Sequence, residues 1–177
     1  MVKAFNQGVL LAVVDGLGQG NQAALAAKTA VSVLKKYAAG SVVSLIKRCH
    51  RSLMMARGAV ISLASIDMRA NMSWLGIGNV ECLLLRADAA AVPSTERLRL
   101  HGGVVGYQLP ILHARKTVLY ENDLLIFATD GVGGDFINEV KRESPAQQIA
   151  DQILREHFKG NDDALVLVVR YLGARHE

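Results

Sequence analysis

The feature that most constrains the fold of this 177-residue chain is the segment Asp-Gly-Leu-Gly-Gln-Gly at residues 15–20. The continuously apolar residues 9–14 before it predict a buried strand. Residues 21–39 after it predict a helix with Asn21 as its N-cap. A strand that ends in Asp-Gly can present a carboxylate and a backbone carbonyl to one point, and hard divalent cations bind such oxygen ligands. Asp15 is therefore a candidate metal ligand.

Two further acidic segments adjoin predicted strands. Residues 124–128 predict a buried strand that ends just before Asp130-Gly131, and Asp162-Asp163 precede the last apolar run of the chain. Each Asp-Gly pair taken alone is more typical of a turn, because that dipeptide is a common turn signal. Three acidic strand ends in one chain favour a shared metal site.

Three segments carry a family resemblance. They are residues 13–20 (Val-Val-Asp-Gly-Leu-Gly-Gln-Gly), 128–132 (Ala-Thr-Asp-Gly-Val) and 161–165 (Asn-Asp-Asp-Ala-Leu). These segments resemble the metal-binding motifs of metal-dependent protein phosphatases of type 2C. Residues 45–49, 57–59 and 76–80 resemble segments of the short bacterial SpoIIE/RsbX-like branch, in the same order and at similar spacing. The resemblance covers nearly the whole chain.

This resemblance implies a single domain over residues 1–177 of the α+β class. The implied architecture is a four-layer α/β/β/α sandwich of antiparallel sheets flanked by helices. The implied activity is hydrolysis of phosphoserine and phosphothreonine in proteins. The implied substrates and partners are phosphorylated STAS-domain proteins of the stressosome, where phosphate removal gives negative feedback in bacterial stress signalling. We further expect a monomer.

The resemblance also implies a catalytic site that binds Mn²⁺ or Mg²⁺, with two ions. Asp15 would bridge the ions, and the Gly16 carbonyl would bind one of them. Asp130 and Asp162 would complete the opposite side, and Asp163 would cap or support the site. An exchange of roles between Asp162 and Asp163 stays open. Ligands that are all oxygen favour Mg²⁺ or Mn²⁺ over Zn²⁺.

The sequence departs from the family pattern in three respects. Related phosphatases carry a further acidic residue on the strand before the one that ends at Asp15, usually in a Gly-Asp pair. Too few residues precede Asp15 for that strand, so we expect that the strand and its ligand are either missing or upstream. Leu17 and Gln19 occupy positions where many relatives have histidine, so the leaving group would take its proton from water. These departures predict weak or strongly Mn²⁺-dependent activity.

Two alternatives stay open. A catalytically degenerate phosphatase-like module could act only by binding a partner in the same signalling pathway. Residues 18–23 also match the dinucleotide-binding fingerprint G-x-G-x-x-A, between a predicted strand and a predicted helix. Against that alternative, a second predicted helix at residues 41–56 follows, and no acidic residue lies about 20 positions on to hold a ribose.

Composition disfavours several classes of function. The chain is 51% hydrophobic, but it has no apolar run long enough to span a bilayer and no signal-peptide pattern, which predicts a cytoplasmic protein without a membrane partner. The formal net charge is only +4 and the basic residues are scattered, which predicts no nucleic-acid binding. None of the five histidines lies at a metal-ligand spacing, which disfavours a zinc site.

Four sulfur-containing residues are predicted to lie in the hydrophobic core. Cys49 and Cys82 lie inside apolar helix and strand patterns, so we expect reduced, buried thiols rather than a disulfide or a catalytic pair. Met54 and Met55 follow the apolar stripe of the second helix and are expected to fill the core.

Overall fold

The computed structural model describes residues 1–160 and 163–173. The chain forms two compact units. Unit 1 consists of Met1–Val80 and Arg99–Val118, and unit 2 consists of Glu81–Leu98 and the chain from Leu119 onward. Each unit combines one antiparallel sheet with helices, which confirms the predicted α+β class.

Unit 1 contains five strands and two helices. In chain order they are β1 (Val2–Phe5), β2 (Gly8–Gly16), α1 (Asn21–Lys36), α2 (Val42–Leu53), β3 (Ala59–Asp67), β4 (Asn71–Ile77) and β7 (Arg115–Val118). The strands form one antiparallel sheet in the order β1-β2-β3-β4-β7. A dinucleotide-binding fold requires a parallel strand after its first helix. Since β3 runs antiparallel to β2, the dinucleotide alternative is wrong.

Periodic apolar residues build the core of unit 1. Alternate residues in the middle of β2 and the first half of β3 belong to it, including Leu10, Ala12, Ile61 and Leu63, because alternate side chains of a strand share one face. The helices contribute Ala26, Ala30 and Leu34 from α1 and Val42, Leu45, Ile46, Cys49 and Leu53 from α2. The stripe on α2 has the spacing of a single helix face. As predicted for the second helix, Ser41 is the N-cap, and its Oγ accepts a hydrogen bond from the Ser44 amide at 3.3 Å.

The described residues of unit 2 form four strands, a 3₁₀ helix and an α-helix. They are β5 (Glu81–Leu85), β6 (Thr95–Arg97), β8 (Leu124–Ala128), the 3₁₀ helix Gly134–Glu139, α3 (Ala146–His157) and β9 (Val166–Arg170). The strands form an antiparallel sheet in the order β6-β5-β8-β9. Side chains of β5 and β8 pack with Phe136, Ile149 and Ile153 in the core of this unit. Within the described residues, no helix combines the length and apolar character needed to cross a membrane.

Two predictions about the first forty residues are wrong. Residues Val2–Phe5 do form a strand before β2, paired from Phe5 opposite Gly8 to Val2 opposite Leu11. Only two residues connect β1 to β2, so the two strands form a hairpin that the sequence analysis did not predict. The strand β1 carries no acidic residue. Asn21 is the first residue of α1, and Gly20, with a φ of 72°, is the N-cap. Glycine adopts this positive φ without the steric cost that a Cβ would bring.

Met54 and Met55 are also not in the core. The helix α2 ends at Leu53, one residue before the predicted apolar stripe ends. Both methionine side chains lie in the turn that follows and are exposed to solvent. The periodic pattern extended over Met54 because its spacing continues that of the helix, although the chain leaves the helix there.

A buried ion network ties together separate segments of unit 2. Arg86 donates from Nη2 to Glu96 Oε1 at 2.5 Å and from Nη1 to Asp123 Oδ2 at 2.8 Å. The Asp123 carboxylate also accepts the backbone amides of Ala87 and Tyr120, each at 2.9 Å. Burial by itself lowers the pKa of Arg86, but the hydrogen bonds and charges of Asp123 and Glu96 outweigh it and raise that pKa. The guanidinium therefore stays charged between two buried carboxylates.

Replacing Asp123 by asparagine should destabilise the protein by about 3 kcal/mol, because it removes a buried carboxylate charge that compensates the partly buried Arg86. Urea unfolding measures this as a fall in the free energy of unfolding. The exposed Asp151→Asn variant on α3 is the control and should stay within about 0.5 kcal/mol of the parent. Equal stabilities for the two variants would contradict the structural role of Asp123.

Both cysteines should be unreactive in the folded protein. Cys49 and Cys82 are free and buried, as predicted. Burial raises the pKa of the Cys49 thiol to about 12 and that of Cys82 well above its ordinary value, so the reactive thiolate is scarce near neutral pH. Dithionitrobenzoate at about pH 8, near the ordinary thiol pKa, should label neither cysteine in native protein and both in urea. Labelling of the native protein at a rate typical of free cysteine would show that a thiol is accessible.

Candidate metal centre

Asp15 and Gly16 are the last two residues of β2 in unit 1. They lie opposite Val60 and Ala59 of the antiparallel neighbour β3, so this Asp-Gly pair belongs to a strand and not to a hairpin turn. The pairing continues one residue further, where the Leu17 amide donates to the Gly58 carbonyl at 3.1 Å. The sheet therefore fixes the backbone on both sides of the predicted ligands.

A close approach of α1 explains why a glycine follows Asp15. A Cβ on Gly16 would lie 2.0 Å from the backbone carbonyl oxygen of Ala23, far inside any tolerable contact. The first turn of α1 thus packs directly on the end of β2. This contact fixes the Gly16 peptide and holds the half-buried Asp15 at the start of the helix.

The loop between β2 and α1 is held by a side chain from elsewhere in unit 1. Gly18 and Gly20 have φ values of 92° and 72°, which allow the sharp path of the loop. The guanidinium of Arg57 covers Gly18, because a Cβ there would lie 2.7 Å from Arg57 Nη1. Arg57 Nε also donates to Gln22 Oε1 at 2.6 Å. The sequence analysis included Arg57 only as part of a family segment and did not predict this contact.

Asp130 and Gly131 form a turn directly after β8 in unit 2. The Val132 amide donates to the Thr129 carbonyl at 3.0 Å, and Asp130 is exposed at the tip. Lys159 holds this turn from the segment after α3: its Nζ donates to the Asp130 carbonyl at 2.7 Å, and its amide donates to the Gly131 carbonyl at 3.0 Å. Here the turn interpretation and the ligand interpretation of Asp-Gly are compatible.

The structure brings the Asp130 turn next to Asp163. A Cβ on Gly131 would lie 2.4 Å from the Asp163 carbonyl oxygen. Thr129 and Leu165 exchange two hydrogen bonds, from the Thr129 amide to the Leu165 carbonyl at 3.1 Å and from the Leu165 amide to Thr129 Oγ1 at 2.9 Å. The predicted ligand Asp162 lies outside the described residues. Its neighbour in sequence, Asp163, is exposed beside the turn.

The residues present suit a hard divalent cation. The predicted donors are aspartate carboxylates and the Gly16 carbonyl, so all are oxygen atoms, the chemistry that Mg²⁺ and Mn²⁺ prefer. In both Asp-Gly pairs a neighbouring backbone carbonyl approaches so closely that only glycine fits. This contact fixes the main chain next to the aspartate without involving the aspartate side chain. Asp15 and Gly16 lie in unit 1, whereas Asp130 and Asp163 lie in unit 2.

One histidine does approach acidic side chains, in unit 2. His157 Nε2 lies 2.9 Å from Glu139 Oε2, and one ligand atom of each of Glu139, Glu156 and His157 falls within 4.8 Å of the others. None of these residues belongs to a predicted metal-binding motif. The two glutamates lie far apart in sequence, so the spacing of residues gave no signal of this cluster.

The chain matches the family model described as Stage II sporulation protein E (SpoIIE) over residues 6–172. It is 26% identical over 165 residues to phosphoserine phosphatase RsbX of Bacillus subtilis (strain 168), a match that covers 92% of this chain and 80% of the relative. The family match extends from the residue after β1 to the residues after β9.

Solved structures agree in fold. A chain from a study of the bacterial stressosome, a modular system adapted to control secondary messenger signalling, has a TM-score of 0.84 and 27% identity, covering 95% of this chain and 88% of its own. RsbX in complex with magnesium has a TM-score of 0.80 and 22% identity, covering 94% of this chain and 82% of its own. The family model and the relative indicate the same family, and the folds of these solved structures agree with it. The chain belongs to the SpoIIE family of type 2C protein serine/threonine phosphatases.

Proposed function

We propose that this chain hydrolyses phosphoserine and phosphothreonine on a protein substrate at a site formed by Asp15, the Gly16 carbonyl, Asp130 and Asp162. The observation that supports it best is the pair of Asp-Gly backbones, each fixed by a contact that only glycine permits, in the segments that resemble metal-binding motifs. A similar solved structure, RsbX, is a complex with magnesium, which supports dependence of the proposed activity on a divalent metal.

Each of these residues has a proposed role. Asp15 would hold two ions of Mn²⁺ or Mg²⁺, and the Gly16 carbonyl would bind one of them. Asp130 and Asp162 would supply further carboxylate ligands, with Asp163 as the alternative to Asp162. When bound, such ions activate water for attack on phosphorus and neutralise charge on the phosphoryl group, which phosphate-monoester hydrolysis needs because its uncatalysed rate is extremely low.

The chain's own side chains leave protonation of the leaving group to water. Leu17 has no titratable group, and the amide of Gln19 does not titrate near neutral pH. Neither residue can act as a general acid, a role that histidine commonly fills in proteins. We therefore infer a turnover that is slower than in relatives with histidine in this loop.

The substrates we propose are phosphorylated STAS-domain proteins of the stressosome. Two similarities support this proposal: the curated relative is the phosphoserine phosphatase RsbX, and a solved chain 27% identical belongs to a study of the bacterial stressosome. Removal of phosphate from such proteins would return the signalling complex to its unphosphorylated state and so act as negative feedback.

A second candidate is a phosphatase-like module that only binds its partner. The observation that favours it is β1, Val-Lys-Ala-Phe, which carries no acidic residue although related phosphatases have one on the strand before their Asp-Gly motif. Loss of a ligand would weaken metal binding. Metal-dependent turnover by this chain distinguishes the two candidates.

The chain should release phosphate from p-nitrophenyl phosphate in Mn²⁺ and not in a chelator. Asp15→Asn, Asp130→Asn and Asp162→Asn should each lower kcat/KM by at least about 100-fold, because each removes a charged metal ligand. Asp135→Asn, an exposed aspartate in the 3₁₀ helix after the Asp130 turn, is the matched control and should keep full activity. Loss of activity in Asp163→Asn with full activity in Asp162→Asn would exchange the roles of those two residues. If the parent chain releases no phosphate at any Mn²⁺ concentration, the result would favour the binding module.

A methyl group on Gly16 should disable the site without removing any ligand. In Gly16→Ala the new Cβ collides with the Ala23 carbonyl, so β2 and α1 must separate, and a ligand displaced by about 1 Å can lower activity about 100-fold. The same overpacking should lower the free energy of unfolding by about 1–3 kcal/mol. Gly102→Ala is the control, since a Cβ there meets nothing within 4 Å. Parent-like kcat/KM in Gly16→Ala would show that the close approach does not position the site.

A further inference from the structure

Unit 1 exposes apolar side chains where α2 ends. Met54 is 62% exposed and Met55 is fully exposed. Exposure of large apolar side chains to water is unfavourable in free energy. Flexible methionine side chains can adapt to partners of irregular shape. Two neighbouring methionines in one turn, both facing solvent, therefore need an explanation other than the core of this unit.

A second exposed apolar residue adjoins this turn. Gly106 packs on Leu53, because a Cβ at Gly106 would lie 2.6 Å from Leu53 Cβ, and its amide donates to His50 Nδ1 at 3.0 Å. Tyr107, which follows Gly106, is 83% exposed. The loop is further tied by the two backbone hydrogen bonds between Val105 and Ala59, each of 2.9 Å. The end of α2 and this loop thus form one continuous part of unit 1.

Arg57 connects this apolar surface to the loop of the predicted metal ligands. It follows the methionine turn in sequence, and its guanidinium covers Gly18 while Nε donates to Gln22. Residues 17–20 carry no charge of their own, so Arg57 supplies positive charge to that loop. A fixed cation repels metal ions, so its presence beside a metal site does not assist metal binding. It does favour a phosphoryl dianion, which guanidinium binds with parallel hydrogen bonds.

We propose that Met54, Met55, Arg57 and Tyr107 form a docking surface for the phosphorylated segment of the protein substrate. Arg57 pairs with the phosphoryl group, and the methionines and Tyr107 contact the residues that flank the phosphoserine. The proposal rests on the proposed phosphatase function and deepens it. We infer a phosphorylated segment as the ligand for two reasons. The positive charge of Arg57, next to the loop after Asp15, favours an anionic group, and the exposed methionines and Tyr107 favour an apolar segment attached to it.

The test compares three substrates or ligands of increasing complexity. They are inorganic phosphate as a competitive inhibitor, p-nitrophenyl phosphate, and a short peptide with one phosphoserine flanked by leucines. Arg57→Ala should raise the Ki of phosphate and the KM of the peptide about 10-fold, the effect of losing a charge-assisted hydrogen-bond pair. The Mn²⁺ concentration for half-activation should be no higher than in the parent, because the lost charge repels metal ions. Arg57→Lys should recover part of that loss, since it keeps the charge but not the planar fork.

The apolar part of the surface has its own readout. A Met55→Ser/Tyr107→Ser double variant should lower kcat/KM for the peptide about 10-fold relative to kcat/KM for p-nitrophenyl phosphate, which has no flanking residues. The matched control is Met68→Ser/Arg69→Ala, an exposed methionine and arginine in the turn at the opposite end of β3. Its peptide and small-substrate activities should both equal those of the parent. An unchanged substrate ratio in the double variant would overturn the apolar part of the proposal.

Binding without turnover separates this proposal from the phosphatase function. Fluorescence polarisation in chelator should show tighter binding of the labelled phosphopeptide than of its unphosphorylated form, and Arg57→Ala should abolish the difference. That result would support the docking surface even if the chain had no activity. Equal binding of both peptides, or unchanged KM and Ki in Arg57→Ala with normal turnover, would overturn it. Sedimentation that shows a dimer of the parent, dissociated by the double variant, would assign the surface to self-association instead.

Discussion

The candidate site depends on two places where backbone meets backbone without room for a side chain. At Gly16 the end of a strand touches the first turn of α1, and at Gly131 a turn touches the segment that begins at Asp163. In both, the residue before the glycine is an aspartate. Because the contact is made by glycine and a carbonyl, the adjacent carboxylate is positioned by the main chain. A metal ligand held in this way does not depend on a rotamer of its neighbours, which suits a site that must bind cations with precise geometry.

The cores of the two units supply the rigidity that these contacts need. In unit 1, β2 and β3 pair along their full length, and alternate residues of both strands pack in one core with α1 and α2. In unit 2, the strand before Asp130 is buried at every position. The ion pairs of Arg86 add to that packing, because they connect the end of β5 with β6 and with the residue before β8. Stability and site geometry are thus linked within each unit through the same strands.

Features that depend on local pattern could be predicted from the sequence. The strand at Leu124–Ala128 and the helix capped by Ser41 follow from apolar periodicity and capping chemistry, and the acidic strand ends at Asp15 and Asp130 follow from the same patterns. Features that depend on contacts between distant residues could not. Arg57 meets Gln22 across 35 residues, and nothing in the local sequence of either indicates it. Met54 and Met55 follow the apolar spacing of α2, so periodicity predicted them in the core. The helix ends at Leu53, and both side chains are exposed. Asp162 lies outside the described residues, and its role stays a prediction.

Arg57 places a positive charge on a loop whose own residues 17–20 carry none. The loop after Asp15 retains the glycines that its backbone requires but has Leu17 and Gln19 where relatives have histidine, so it offers no proton donor and no positive charge. A phosphoryl group brings two negative charges, and divalent ions neutralise them only where they are bound. A guanidinium fixed on Gly18 adds positive charge to this loop at a point that the backbone already holds rigid. An arginine that enters from the start of β3 can do so without disturbing the Asp-Gly motif, because its contacts are with a glycine and a glutamine side chain. In the proposed docking surface, the turn around Arg57 can therefore differ between phosphoprotein substrates without any change to the proposed metal ligands.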